Sequence, residues 1–309
     1  MSLDKLPSRE LRVLQGHGGP VHYIKFNKDG EYVLTACADK TVRLWNPLKG
    51  LCIKTYSGHG RDVFGICVSA DNSRFASGSA DKQVFLWDVG TGKPIRRFTG
   101  HHQRINCVDF NQDATVVVSG SYDATVRVWD CRAQTRLPVQ VMEEAKDDIM
   151  SLQVSGHEIA VASVDGKLRV YDIRAGRVTA DDIGQPVTSV CYSNDKNCLL
   201  ISTLDSTVRL MDKDNGQVLN EYKGHLNKEY RVTSCLSHTD AYILSGSEDG
   251  RIVIWDLVDG SLVRILKGHD RVVSAIAYAP KMPVAVSGSI DGVVKVWTTP
   301  EVFASLGKS

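Results

Sequence analysis

The sequence has almost no net charge, no closely paired cysteines and no long apolar run, and each lack removes a class of function. Thirty-seven Lys and Arg stand against 36 Asp and Glu, a net charge of +1. No basic stripe supplies the phosphate-neutralising contacts that nucleic-acid binding requires. The longest apolar stretches are strand-sized, well short of the roughly 20 residues a membrane-spanning helix needs. The opening MSLDKLPSRE is polar and without an apolar centre, so it is not expected to act as a signal peptide. Eight cysteines occur but no C-x-x-C; the nearest two are Cys191 and Cys198, and most sit in apolar, strand-like runs. They read as reduced core residues of a cytosolic or nuclear protein, not as a disulfide or zinc framework. GTGKP at 90–94 lacks the first glycine of a phosphate loop and has Pro after its Lys, so it reads as a turn. The nine histidines offer no metal-binding pair beyond the adjacent His101 and His102. No cofactor and no metal are expected.

What the chain does have is a period. An aspartate recurs at 39, 81, 123, 165, 205, 249 and 291, in steps of 42, 42, 42, 40, 44 and 42 residues. Six residues after each comes a large side chain: Trp45, Trp87, Trp129, Tyr171, Met211, Trp255 and Trp297. A Gly-His pair precedes five of the seven, with histidines at 17, 59, 101, 225 and 269. Each unit alternates apolar and polar residues in four short runs broken by Asp, Asn, Ser and Gly, with no helical crossover pattern. The second unit shows it as VFGICV, RFASGS, QVFLWD and PIRRF. A repeat near 42 residues with Gly-His and Trp-Asp signatures resembles the WD-repeat family over residues 11–297, which implies an all-β, seven-bladed propeller with four antiparallel strands per blade. Residues 11–299 are expected to form this single domain, between tails at 1–10 and 300–309. The C-terminal stretch lacks a convincing fourth strand for blade seven. Leu11–Leu14 looks like the fourth-strand runs elsewhere and is expected to supply it, closing the ring and hiding its free edges.

His, Ser or Thr, and Asp at fixed spacing invite comparison with a hydrolase triad. But the set recurs in five blades: His17, Thr35, Asp39, Trp45; His59, Ser77, Asp81, Trp87; His101, Ser119, Asp123, Trp129; His225, Ser245, Asp249, Trp255; and His269, Ser287, Asp291, Trp297. A catalytic site needs one constellation in a cleft. The resemblance implies instead that each set forms a hydrogen-bonded chain inside its blade, so no catalytic residue is expected. Blades four and five lose the His, the hydroxyl and the Trp together, as expected if a partial network is worse than none. They are therefore expected to be the least rigid part of the ring. Gly156-His157 lies only eight residues before Asp165, in a turn, and cannot be a network histidine.

Without chemistry, binding by loops on a rigid scaffold remains. The family's geometry implies two top-facing positions per blade. Among them Phe64, Tyr122, Met150, Val164 and Leu204 would cluster over blades two to five, flanked by Arg61 and Arg104. These include residue types enriched in protein interfaces. A two-residue insert around NKEYR, 227–231, is expected to lengthen the top loop of blade six. Trp129-Asp130-Cys131-Arg132 and Tyr171-Asp172-Ile173-Arg174 resemble the paired W-D-x-R boxes of substrate receptors of cullin–RING ubiquitin ligases, although the second departs at its first residue. Arginine after Trp-Asp is also common as a simple edge ion pair.

Beyond the repeat, LWNPLKG at 44–50, TYSGHG at 55–60, VWDCR at 128–132, SVDGKLRVYDIRAG at 163–176 and the decayed fifth blade, LDSTVRLMDKDNGQVLNEYKGHLNKEYRV at 204–232, resemble the mitogen-activated protein kinase organizer family. That resemblance implies a non-enzymatic scaffold in the cytoplasm and nucleus. Its partners would be kinase-module components, splicing factors of late spliceosomal complexes, or both. A monomeric subunit of larger complexes, with no direct nucleic-acid or membrane contact, is expected.

Overall fold

A computed structural model describes residues 6–306. Twenty-eight strands form seven four-stranded antiparallel sheets, each ordered from an inner strand to an outer one. Blade two is typical: Val63–Val68, Arg74–Ser79, Gln83–Asp88 and Pro94–Thr99. The middle strands are buried on both faces while the outer strand alternates, which is why the apolar runs are densest in the second and third strands of each repeat.

The seven apolar clusters lie between blades, not inside them. One joins Cys67, Val84 and Phe98 of blade two to Ile105, Val117 and Trp129 of blade three. Close approach of neighbouring sheets needs a missing side chain. A Cβ on Gly78 would stand 2.5 Å from Ile105 of the next blade, and one on Gly288 would stand 2.6 Å from Val21. The small middle residue of SGS is thus the seat of the adjoining blade's first strand.

Strand Arg9–Leu14 pairs antiparallel with Val294–Thr298, so blade seven is built from both ends of the described chain. The strand begins ahead of the Leu11–Leu14 run read from sequence, and Leu6 is already buried against blades six and seven. Residues Pro300–Leu306 form a short helix, with the Arg9 guanidinium 5.9 Å from the Phe303 ring. Of the two tails, residues 1–5 and 307–309 lie outside the described residues.

In six blades the pairing of the first and second strands slips by one residue near its start, skipping His22, Phe64, Asn106, Met150, Thr188 and Ser274. A bulge of this kind re-aims a side chain at the rim of a sheet. Blade six has no such slip; its inner strand is cut to Ser234–Leu236.

Candidate functional site

The polar chains inside the blades decide whether chemistry is available. In blade one His17 Nδ1 lies 2.8 Å from Asp39 Oδ2 and Nε2 lies 2.6 Å from Thr35 Oγ1, to which Trp45 Nε1 donates at 2.9 Å. Blades two and three repeat this arrangement. His59 reaches Asp81 at 2.8 Å and Ser77 at 2.7 Å, with Trp87 on Ser77 at 2.7 Å. His101 reaches Asp123 at 2.9 Å and Ser119 at 2.7 Å, with Trp129 on Ser119 at 2.8 Å. Burial opposes charge on Asp39 and Asp123. Hydrogen bonds from Thr41, His17 and Gly18, and from His101, Thr125 and His102, outweigh it and hold both carboxyls well below their ordinary range. Burial lowers His17 and His101 despite those carboxylates.

The hydroxyls in these chains are wholly buried: Thr35, Ser77 and Ser119 are each 0% exposed. A nucleophile must meet substrate. These cannot, and each already accepts a tryptophan N–H. His17, Cys37 and Asp39 also bring possible ligand atoms within 4.8 Å of one another, but both nitrogens of His17 are engaged in the chain.

Two of the five chains depart from the sequence reading. In blade seven His269 Nε2 lies 2.7 Å from Ser287, which accepts from Trp297 at 2.8 Å, but Nδ1 has no partner and the link to Asp291 is open. In blade six the chain is not assembled. Both ring nitrogens of His225 are unpartnered, Trp255 donates to the Lys223 carbonyl at 2.9 Å, Ser245 bonds the Gly246 carbonyl, and Asp249 pairs with Arg251. The cause is the insert, which sets His225 two residues further from its aspartate than in the other blades. The added length is drawn elsewhere. Asn227 is fully buried, bonded to Ser206 and Thr203 of blade five, and the Glu248 carboxylate accepts the amides of Lys228, Glu229 and Tyr230 at 2.6, 2.7 and 2.9 Å.

Blades four and five replace the chain with ion pairs. Asp165 is held in two bonds by Arg169, at 3.0 and 2.7 Å, and Asp205 is gripped by Arg209. Burial disfavours the Asp165 charge, yet the Arg169 bonds bring its pKa down to about 2. Tyr171, in the tryptophan position, bonds Glu144 at 3.1 Å. Gly156-His157 occupies the turn between strands Ile149–Ser155 and Glu158–Ser163.

The constellation outside the blades lies at the top mouth of the channel, where Phe64, Arg104, Met150 and Arg231 are half-buried and Tyr122 is exposed. The insert loop turns inward, and Arg231 crosses the opening to donate from Nη1 to the Asn106 carbonyl at 2.7 Å, with its guanidinium 5.5 Å from the Tyr23 ring. Arg104 lies over Phe64 and Tyr122, at 5.3 and 4.7 Å, and His22 also stacks on Phe64 at 4.3 Å. A cavity of about 470 Å³ opens here, walled by Phe64, Arg104, Met150, Tyr230, Arg231 and Arg271. The structure therefore brings together Phe64, Arg104, Tyr122 and Met150 of the residues read from sequence. Tyr122 joins them through its contact with Arg104 but does not itself line the cavity, and neither do the exposed Arg61 or the half-buried Val164 and Leu204. Sequence reasoning missed Arg231; its only trace was the length of the insert.

At the two boxes that resemble W-D-x-R, Arg132 pairs with its own Asp130 at 3.3 Å with its side chain 72% exposed, while Asp172 accepts the Ala175 amide and lies 3.9 Å from His157.

The WD domain, G-beta repeat family matches residues 8–46, 216–256 and 260–298, and the nucleolar protein 10-like N-terminal β-propeller matches residues 59–235. The chain is 54% identical over 293 residues to the WD repeat domain-containing protein 83 of Rattus norvegicus, covering 95% of this chain and 93% of the relative. The Homo sapiens protein of that name is 50% identical over the same shares. A homolog in Dictyostelium discoideum is 35% identical, covering 94% of this chain and 98% of the relative.

Proposed function

Given that the chain belongs to the WD-repeat family, we propose that it is a non-enzymatic scaffold that holds other proteins against the top face of a rigid seven-bladed ring. The observation that carries this reading is the contrast between its two polar systems. Every hydroxyl of a complete His–Asp chain is sealed inside a blade, whereas Phe64, Arg104, Tyr122 and Met150 are presented at the channel mouth on bulges and turns. Aromatic and arginine side chains around a cavity are the usual anchors of a protein interface.

The partners we assign are kinase-module components, splicing factors or both, in the cytoplasm and nucleus. This assignment is supported by the resemblance of the decayed fifth blade and its neighbours to the mitogen-activated protein kinase organizer family. The pairing of Arg132 with Asp130 supports an edge ion pair over an adaptor contact, and so weighs against the alternative of a cullin–RING substrate receptor.

Crosslinking mass spectrometry on the tagged chain, from nuclear and cytoplasmic fractions, tests this beside a Phe64→Glu, Tyr122→Glu variant. Crosslinks to splicing factors or kinases that vanish in the folded variant are expected. Retention of every partner would move the interface to the blade edges or the underside.

A further inference from the structure

Several side-chain nitrogen atoms around the channel mouth lack hydrogen-bond partners. Arg231 spends one nitrogen on the Asn106 and Phe64 carbonyls, but its Nε and Nη2 are buried and unpartnered. Arg104 Nε and His22 Nε2 are in the same condition. Among the described residues no carboxylate lies within ion-pairing distance of Arg104, Arg231 or Arg271; the nearest to His22 is Asp62 at 3.8 Å. Three arginine N–H groups from blades three and six, and one ring nitrogen of His22 in blade one, are thus unpartnered on side chains that line one cavity. Buried donors of this kind are ordinarily satisfied, and charged ones most of all.

The loop is built to keep them there. The Glu248 carboxylate gathers three consecutive amides immediately before Arg231, fixing the direction in which that side chain leaves the backbone. The same loop cost blade six its polar chain.

We propose that the top mouth of the channel is a recognition site for a single anionic group, a carboxylate or phosphoryl, on a side chain of a protein partner. This rests on the reading of the top face as the interface. A polyanion fits poorly, because Glu229 lines the cavity and Asp62 and Asp148 flank His22 and Arg104. An isolated anionic side chain with apolar neighbours fits well: the arginines take its charge, and Phe64 and Met150, with Tyr122 beyond Arg104, take what flanks it. Arginine's planar fork suits both oxyanions.

The test follows the arginine Nε–Hε resonances of the full ¹⁵N-labelled chain during titration with inorganic phosphate and, separately, acetate. Saturable shifts of the Arg104 and Arg231 signals are expected, with affinity weakened roughly tenfold or more in Arg231→Gln. Arg104, whose side chain makes no hydrogen bond, supplies Arg104→Gln as the second variant should Arg231→Gln not fold. A response to phosphate alone assigns a phosphoryl ligand; a response to acetate assigns a carboxylate. Shifts no larger than those of the exposed Arg132 would overturn the site. Crosslinking separates the two readings. Partners kept by Arg231→Glu but lost by Phe64→Glu, Tyr122→Glu would remove the anion site and leave the interface, whereas partners kept by both would remove the interface as well.

Discussion

Replacing Ser77 by alanine deletes one oxygen from the middle of a closed chain, and the structure fixes what that leaves behind. The Ser77 hydroxyl accepts from Trp87 Nε1 at 2.7 Å and meets His59 Nε2 at 2.7 Å. Both partner atoms are buried, and removing the hydroxyl leaves the Trp87 N–H without its acceptor and His59 Nε2 without its donor. An orphaned buried polar group costs about 1–3 kcal/mol, so two cost about 2–6 kcal/mol. Domains of this size lose roughly 2 °C of melting temperature per kcal/mol, which places the drop at roughly 4–12 °C.

The matched substitution in blade six, Ser245→Ala, removes the same atom from the same sequence position. There the serine bonds only the Gly246 carbonyl, Trp255 is satisfied by Lys223, and His225 has no partner to lose. One ordinary hydrogen bond contributes about 0.5–1.5 kcal/mol, or roughly 1–3 °C. Thr35→Ser in blade one, which keeps the oxygen and removes a methyl, should cost about 1 kcal/mol. Calorimetry of the three variants at one scan rate measures all of this. Equal losses for Ser77→Ala and Ser245→Ala would refute the claim that blade six has no working chain.

Stability should also depend on pH in a defined window. Burial lowers His22, His225 and His269 from 6.5 to about 4, so between those values the unfolded chain binds more protons than the folded one. The folded state is fully favoured above pH 6.5 and loses stability as pH falls toward 4, by about 3 kcal/mol per histidine. Urea titrations across this range should show the slope, and His225→Gln, which breaks no hydrogen bond, should flatten it; an unchanged slope would remove His225 from the account. In blade four, Arg169→Met strands Asp165, a carboxylate whose side chain is 8% exposed, and should cost about 3–5 kcal/mol. Arg209→Met should cost less, because Asp205 is 27% exposed; urea midpoints for the pair test the order.

The ring was legible because its period is a property of residue spacing, which survives without coordinates. So were the chains of blades one to three, where a distance of 22 residues from His to Asp returns the same loop each time. Blade six had every required residue type and still failed, because two added residues let Asn227 and Glu248 compete for the loop. Composition of a motif does not include its tension. The ion pairs of blades four and five were visible as Arg169 and Arg209 four residues after each aspartate, but that signal is faint, since Arg43 and Arg127 stand at the same offset beside intact chains. The loss of rigidity expected there meets a substitute of a different chemical kind. Arg231 was illegible for a plainer reason: its carbonyl acceptors lie 125 and 167 residues away, and only the closed ring brings them opposite.

The strand Arg9–Leu14 leaves the ribosome long before Val294–Thr298, the neighbour it pairs with. At ordinary rates of translation the wait is roughly 15–60 s. Throughout that interval the nascent chain carries a strand with no sheet to join and a growing stack of blades with an uncovered flank. Such an edge pairs readily with whatever strand arrives first. Synthesis of this protein therefore has a period of exposure set by its topology, in which a chaperone has a natural place to bind. Two neighbouring chains on one messenger could in that interval exchange their first strands.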